Sequence, residues 1–124
     1  MGPIKPTLVL GASENQERYS NRAIKDLQQY QHPVFAIGAR KGLVGNIPIE
    51  TSCVYIAELD TVTLYLTPEK QKPYYQYILE LSPKRIIFNP GTENDELLTL
   101  AEQAGILHPR GLYASSIENW SILN

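Results

Sequence analysis

The stretch LVLGASENQERYS, residues 8–20, carries residue types that can hold a phosphate group. Gly11 permits a tight exit from a strand, Ser13 offers a hydroxyl, and Arg18 can pair with two phosphate oxygens at once. A helix that begins near this point would add free backbone N–H groups and the positive end of its dipole. The stretch nevertheless has a single glycine where the dinucleotide-binding fingerprint has several. It therefore favours phosphate binding, and an ordinary βα loop with a solvated arginine is the alternative.

Two cations follow the next apolar run. In a typical NAD site an acidic residue lies about 20 residues beyond the glycine motif and binds the ribose hydroxyls. Here PVFAIG ends at Gly38, and Arg40 and Lys41 follow it without a carboxylate. Two cations suit a ribose that bears an additional phosphate, as in NADP or coenzyme A (CoA). Solvated surface charges are the alternative interpretation.

Two further turns, LTPEK and NPGTEN, also follow apolar runs. Ligands of open parallel sheets bind beyond the carboxyl ends of the strands, so these turns should meet the first two around one cleft. They would contribute Thr67, Pro68, Asn89, Pro90 and Gly91. The residues that follow Gly91 could instead serve only to cap the next helix.

The sequence contains no evident catalytic or metal-binding constellation. His32 stands before a proline in a predicted turn, where we expect it to be exposed, and His108 lies near the end of the chain. No carboxylates cluster with either histidine, so a metal site is not expected. Cys53 is the only cysteine, and no base neighbours it in the sequence. We expect a half-buried structural thiol there rather than a nucleophile.

The spacing of apolar residues predicts the scaffold that positions these groups. Short apolar runs predict buried strands over 7–11, 33–38, 61–66 and 85–89, with a further short strand near 44–47. Segments with helical spacing lie between them. This alternation predicts an α/β protein with a three-layer Rossmann-like fold: a mostly parallel sheet of about five strands with helices on both faces.

Three helices are predicted by spacing and end signals. The first has Ser20 or Asn21 as its N-cap. A turn near Pro68 precedes a helix over about 73–81, and its tyrosines mix core and surface positions, which leaves self-association into a homo-oligomer open. Thr92 and Asp95 have capping-box spacing before a last helix, which stops near residue 105.

Composition and charge limit the function classes. The 124 residues are 43% hydrophobic with a net charge of -2, as expected for one globular domain. A general nucleic-acid binder would usually be basic, although a local basic pocket remains compatible with this charge. No apolar run approaches the ~20 residues of a membrane span, and the N-terminus lacks the apolar core of a signal peptide. We therefore expect a cytoplasmic protein without membrane or nucleic-acid partners.

Taken together, VLGASENQERYSNRAIKDL, VFAIGARKG, VTLYLTPEKQ and IIFNPGTEN resemble the small stand-alone CoA-binding domain proteins. These are similar to the N-terminal domain of the succinyl-CoA synthetase alpha subunit. The resemblance spans residues 7 to about 106 and rests on the combination of GAS-x4-R-x-S with PGxEN. It implies a Rossmann-like domain that binds CoA or an acyl-CoA in an extended pose, with no established enzymatic activity. An NADP-binding oxidoreductase-like domain and a Rossmann-fold interaction protein without a ligand are the alternatives.

The resemblance also implies roles for particular residues. Those expected to hold the pyrophosphate are Gly11, Ala12, Ser13, Arg18 and Ser20. Arg40 and Lys41, after Gly38, would lie near the adenosine 3′-phosphate. The rest of the cleft would be lined by Leu66, Thr67, Pro68, Asn89, Pro90 and Gly91.

Residues 107–124 depart from the family pattern. Relatives continue with an apolar strand and a segment resembling EACTLVMLKTGQY, whereas this chain reads LHPRGLYASSIENWSILN. Synonymous codons exist for which the +1 frame of this tail gives FIREACTLVRLKTGQY and then a stop. We therefore hypothesise a frameshift in the gene or its recorded sequence, which sequencing of the coding DNA would test. A genuinely divergent C-terminus is the alternative; as written, Pro109 and Gly111 predict a weak last strand.

Overall fold

The computed structural model describes residues 4–109, which contain six strands and four α-helices. The strands are β1 (Thr7–Ala12), β2 (Val34–Gly38), β3 (Gly42–Val44), β4 (Ile47–Glu50), β5 (Thr61–Leu64) and β6 (Arg85–Phe88). The helices are α1 (Tyr19–Gln29), α2 (Pro68–Gln71), α3 (Tyr75–Leu81) and α4 (Asp95–Gln103), with a 3-10 turn over Lys72–Tyr74. The four main strands lie within two residues of the predicted bounds.

The six strands form one sheet in the order β3-β4-β2-β1-β5-β6. All neighbouring pairs are parallel except β3 and β4, which are antiparallel. The predicted mostly parallel sheet is confirmed. The prediction of one short strand at 44–47 is wrong, because two strands, β3 and β4, meet there. Gly45 adopts a φ of 59° there, and the resulting turn folds this segment into a hairpin.

Apolar side chains from the two faces of the sheet pack under helices on both sides, as predicted. On one face, Ala23, Ile24 and Leu27 of α1 pack with buried residues of β1, β2, β4 and β6. On the other face, α3 and α4 cover the alternate residues of β1, β5 and β6. Each face therefore contributes its own hydrophobic cluster, and the sheet separates the two.

The predicted N-caps of the first and last helices are wrong. Arg18 occupies the N-cap position of α1, so Ser20 and Asn21 lie in its first turn, where both are buried. At α4 the side-chain oxygen of Asn94 accepts hydrogen bonds from two backbone N–H groups of the first turn. The hydroxyl of Thr92 points instead to the carbonyl of Asn89, at 2.7 Å. At α4 the side-chain geometry of Asn94, which spacing does not encode, selects the cap, whereas α1 begins without a side-chain capping bond.

The segment with two prolines folds as predicted, with one shift. Pro68 is the first residue of the short helix α2, a position where its missing N–H costs nothing. Pro73 lies in the 3-10 turn, and α3 therefore begins at Tyr75 rather than near residue 73. Ser82 then ends α3 in a left-handed conformation, with a φ of 49°.

His32 and Cys53 are placed differently from the predictions. His32 is 9% exposed, because the N–H of Lys5 donates to its Nδ1 atom at 3.0 Å and draws the ring under the start of β1. Cys53 is exposed rather than half-buried, in the irregular segment that follows β4. The interpretation of Cys53 as a packed structural thiol is therefore wrong.

Several buried charged residues lie near His32, at the amino ends of the strands. Asp60 lies 3.9 Å from the ammonium of Lys5 and 3.6 Å from Nε of Arg85. The Nε–H of Arg85 also donates to the hydroxyl of Thr61, which donates to Asp60. This cluster lies at the amino ends of the strands, whereas the predicted ligand site lies at their carboxyl ends.

The last described residues continue the sheet by one contact. Leu107 forms an isolated parallel bridge with Arg85. Most of the segment to which the frameshift hypothesis applies, 110–124, lies outside the described residues. None of the helices within residues 4–109 is long and apolar enough to cross a membrane.

We expect His32 to make folding pH-dependent. Burial, followed by the charges of Lys5 and Arg85, lowers the pKa of His32 below its usual 6.5. The unfolded chain then binds a proton more readily, so the free energy of unfolding should fall as pH decreases from about 6.5 through the lowered pKa. Urea denaturation between pH 5 and 8 measures this. In His32→Asn, whose side-chain oxygen can still accept from Lys5, the dependence should flatten; an unchanged profile would contradict the assignment.

Candidate functional site

A cleft opens at the carboxyl ends of β1 and β5. The chain leaves β1 toward β2 on one side of the sheet and returns to β5 on the other. The two loops therefore diverge and leave a crevice, which is where ligands bind in open parallel sheets. The cleft has a volume of about 1460 Å³. Sites for drug-sized molecules occupy roughly 300–1,000 Å³, so this space suits a longer ligand.

The structure brings most of the predicted site residues together around this cleft. Those that line it are Gly11, Ala12, Ser13, Arg18, Ser20, Arg40, Lys41, Leu66, Thr67, Asn89, Pro90 and Gly91. Gly38 and Pro68 are not part of the lining. Gly38 lies at the end of β2, where a Cβ atom would collide with the carbonyl of Ala12. Its role is to let β2 approach β1, and Pro68 is the first residue of α2, between the lining residues Thr67 and Lys70.

The N-terminus of α1 faces the cleft without the groups that usually neutralise a helix end. Arg18 makes no side-chain capping bond, and the first turn of α1 contains no acidic residue. Ser20 lines the cleft at 1% exposure, and among the described residues its Oγ atom has no hydrogen-bond partner. A buried hydroxyl without a partner costs free energy that a bound acceptor would recover. The end of α1 is thus suited to an anion.

The N-terminus of α4, at the same edge of the sheet, is built differently. Asn94 caps it, and Asp95 and Glu96 supply negative charge in its first turn. These groups satisfy the N–H donors and offset the helix dipole. Of these two helices, only α1 therefore has an N-terminus without a side-chain cap or a nearby acidic residue.

Side chains fix the shape of the loop between β1 and α1. The N–H of Asn15 donates to Ser13 Oγ at 3.1 Å, and the N–H of Glu17 donates to Asn15 Oδ1 at 2.9 Å. The amide of Asn21 donates to the carbonyl of Ser13 at 3.0 Å. The polar insert that replaces the usual glycines therefore organises the loop through its own hydrogen bonds.

Glu14 connects this loop to the hairpin of β3 and β4. Its carboxylate accepts a hydrogen bond from the N–H of Leu43 at 2.8 Å and packs against Gly42, where any Cβ atom would collide with it. The contact closes the end of the cleft beside Arg40 and Lys41. No local signal in the sequence predicts this role of Glu14, because its partner lies 29 residues away.

The charges around the cleft are predominantly positive. The cationic lining residues are Arg18, Arg22, Arg40, Lys41 and Lys70, whereas the acidic ones are Glu14 and Asp26. The cleft therefore carries a local positive charge in a chain whose net charge is -2. Arg22 was missed by the sequence analysis, although it lies one helical turn after Arg18 and its spacing predicts the same face.

At the other end of the cleft, hydrogen-bonded side chains form the wall. The amide of Asn89 donates to the hydroxyl of Thr63 at 2.7 Å and to the carbonyl of Leu64 at 2.9 Å. Thr63 in turn donates to the hydroxyl of Tyr65, at 3.4 Å. Burial raises the pKa of Tyr65 well above its usual value, so this residue remains a neutral phenol. Tyr65 lines the cleft but was read from the sequence as part of a core strand.

Gln71 joins the two loops at this end. Its side chain is fully buried, and its Nε2 atom donates to the carbonyls of Leu66 and Thr92, each at 2.8 Å. Its Oε1 atom accepts from Asn94 Nδ2 at 2.9 Å. We call this set of contacts the Gln71 bridge. It was also missed, because Gln71 stands in a polar stretch typical of a surface turn.

Comparisons with known proteins agree on family and fold. A family model described as a CoA binding domain matches residues 5–113, which is most of the chain. No curated protein matches the chain significantly.

Solved structures share the architecture. The crystal structure of an uncharacterized protein is 40% identical, with a TM-score of 0.88, covering 93% of this chain and 94% of the other. A hypothetical protein from Pyrococcus horikoshii OT3 is 22% identical, with a TM-score of 0.83, covering 98% and 85%. The Ca. Korarchaeum cryptofilum dinucleotide forming acetyl-coenzyme A synthetase 1, in complex with phosphate and ADP, is 15% identical, with a TM-score of 0.68. It matches 91% of this chain and 28% of the synthetase. These last two similarities bear on the fold alone.

Ser20→Ala should leave the ligand-free protein at least as stable as the wild type. The substitution removes a buried hydroxyl without a partner among the described residues, whose burial costs about 1–3 kcal/mol. Thr92→Val is the matched control, because the Thr92 hydroxyl is buried and satisfied, and its loss should lower stability. Urea denaturation measures both. Equal losses in the two variants would contradict the assignment of Ser20 as a ligand-facing donor.

Proposed function

This chain belongs to the CoA-binding domain family, and from that premise we propose that it holds CoA or an acyl-CoA in the cleft without catalysing a reaction. Family membership supports CoA binding in general. One observation carries the assignment to the cleft: the uncapped N-terminus of α1, with the buried Ser20 hydroxyl, lies in a cationic lining. Such a site fits the negative charge that CoA carries on its three phosphates.

The order of the strands supports a direction for the ligand. Arg40 and Lys41 follow β2, and we assign them to the adenosine 3′-phosphate. The pyrophosphate would be held after β1 by Gly11, Ala12, Ser13, Arg18 and Ser20. Because β5 and β6 come next in the sheet, at a spacing of about 4.8 Å per strand, the pantetheine arm would cross their ends. That part of the cleft is lined by Leu66, Thr67, Asn89, Pro90 and Gly91, and Pro68 follows Thr67 outside the lining.

A binding role agrees with the chemistry of the wall that the pantetheine arm would contact. Amides and hydroxyls there bond one another in a fixed network, and the pantetheine arm itself contains amides that such a wall can recognise. Tyr65 belongs to this network as a neutral phenol, and burial raises its pKa further above the neutral range. The role we propose is that of a sensor of CoA or a carrier of the bound thioester.

Arg40 and Lys41 also support a second candidate ligand. A ribose 2′-phosphate, as in NADP, would suit the same two cations. CoA remains the first choice because the loop after β1 lacks the glycines that let a dinucleotide approach closely. A Rossmann-fold interaction protein that binds neither cofactor is the third reading.

Ligand-dependent melting separates these candidates. A ligand present at 100 times its dissociation constant adds about 2.7 kcal/mol to the free energy of unfolding. CoA should therefore raise the melting temperature, and dephospho-CoA, which lacks the 3′-phosphate, should raise it less. A larger shift with NADP than with CoA would refute the first choice. If neither ligand shifts the melting temperature, the interaction protein is favoured.

Arg18→Ala and Arg40→Ala should each weaken CoA binding. Each change removes a charge-assisted contact to phosphate, worth about 1.5–3 kcal/mol, or roughly a tenfold to hundredfold loss of affinity. Isothermal titration calorimetry measures the effect. Lys25→Ala, on the exposed side of α1 and outside the cleft lining, is the charge-matched control. The Arg40 effect should disappear with dephospho-CoA, and an Arg40 effect of equal size with both ligands would place the 3′-phosphate elsewhere.

A further inference from the structure

We infer that Gln71 is a positioning residue that sets the separation of the loops after β5 and β6. This separation determines how tightly the cleft binds the part of the ligand that lies beyond the phosphates. The inference rests on the proposed function, since it concerns the same cleft. Gln71 contacts the two loops from behind and is not part of the cleft lining.

The separation of these loops is not imposed by the sheet. The last paired residues of β5 and β6 are Leu64 and Phe88, and the ladder ends there. Leu66 and Thr92 lie beyond it, and the two hydrogens of one amide nitrogen, Gln71 Nε2, hold their carbonyls together. Both residues line the cleft. Asn89 joins the two strands where backbone pairing stops, through its bond to the carbonyl of Leu64. The Gln71 bridge then holds the walls at Leu66 and Thr92, further from the sheet.

The amide of Gln71 is itself held in one orientation. Asn94 donates from Nδ2 to Gln71 Oε1 at 2.9 Å and also to the hydroxyl of Tyr75 at 2.8 Å. The Oδ1 atom of Asn94 caps α4, so its amide cannot turn over without losing that cap. Consequently, Gln71 presents its nitrogen, and not its oxygen, to the two loop carbonyls.

The location of the bridge predicts which part of the ligand responds to it. The residues that we assign to phosphates follow β1 and β2, and they contact the hairpin through Glu14. The bridge lies at β5 and β6, where the pantetheine arm would pass. Loss of the bridge should therefore weaken binding of a ligand that has this arm and leave the nucleotide portion unaffected.

Gln71→Met tests this inference, because methionine has a similar length and no hydrogen-bonding amide. Calorimetry should show at least tenfold weaker binding of CoA and less than twofold change for adenosine 3′,5′-bisphosphate, which lacks the arm. Gln76→Met is the matched control, because it makes the same chemical change on the exposed side of α3. Within residues 4–109, the amide of Gln76 donates a hydrogen bond only to Glu80. It should leave both affinities unchanged.

Asn94→Asp provides a second variant that should fold. Aspartate keeps the oxygen that caps α4 but loses the N–H that orients Gln71, so the glutamine amide should turn its nitrogen toward the carboxylate and release the loops. The same selective loss of CoA affinity is expected. Equal weakening of both ligands in Gln71→Met and Asn94→Asp, or no weakening of either, would overturn the inference. A wild-type protein that does not bind CoA would instead refute the proposed function.

Discussion

The parallel pairing of β1 with both β2 and β5 is the constraint on which the rest of the structure depends. Leu8, Val9 and Leu10 are fully buried, because α1 covers one face of this strand and α3 and α4 cover the other. With β1 in the centre, the chain must turn to opposite sides after β1 and after β5. The crevice between the loops that follow β1 and β5 is therefore a consequence of the strand order.

The sheet gives each end of the cleft a different chemistry. Segments that follow β1 and β2 contribute four of the five cationic side chains described around the cleft and the bare end of a helix, whereas those that follow β5 and β6 contribute buried amides and hydroxyls together with Lys70. Exposed cations cost little in the absence of a ligand, because water solvates them. Buried amides would be costly if they lacked partners, and each here bonds to the backbone or to another side chain. The cleft can therefore combine a charged end with a rigid polar end in a chain of nearly balanced charge.

Local patterns in the sequence predict the strands, whose formation depends on neighbouring residues. Four apolar runs became β1, β2, β5 and β6, because strands covered on both faces favour continuous apolar residues. The errors concern groups whose environment depends on distant residues. His32 follows the end of a helix in a polar segment, but Lys5, 27 residues earlier, buries it. Gln71 lies among lysines and a glutamate, yet its partners come from two loops.

The buried polar groups around the cleft differ in whether they have hydrogen-bond partners. Gln71 and Asn94 have partners for the atoms that matter to loop spacing, so they hold the cleft in shape before anything binds. Such preorganisation reduces the ordering that binding would otherwise require. The Ser20 hydroxyl is the opposite case within the described chain, since it is just as buried and lacks a partner. The fold thus keeps one donor unsatisfied at the end of α1, and that is the feature a phosphate oxygen would complete.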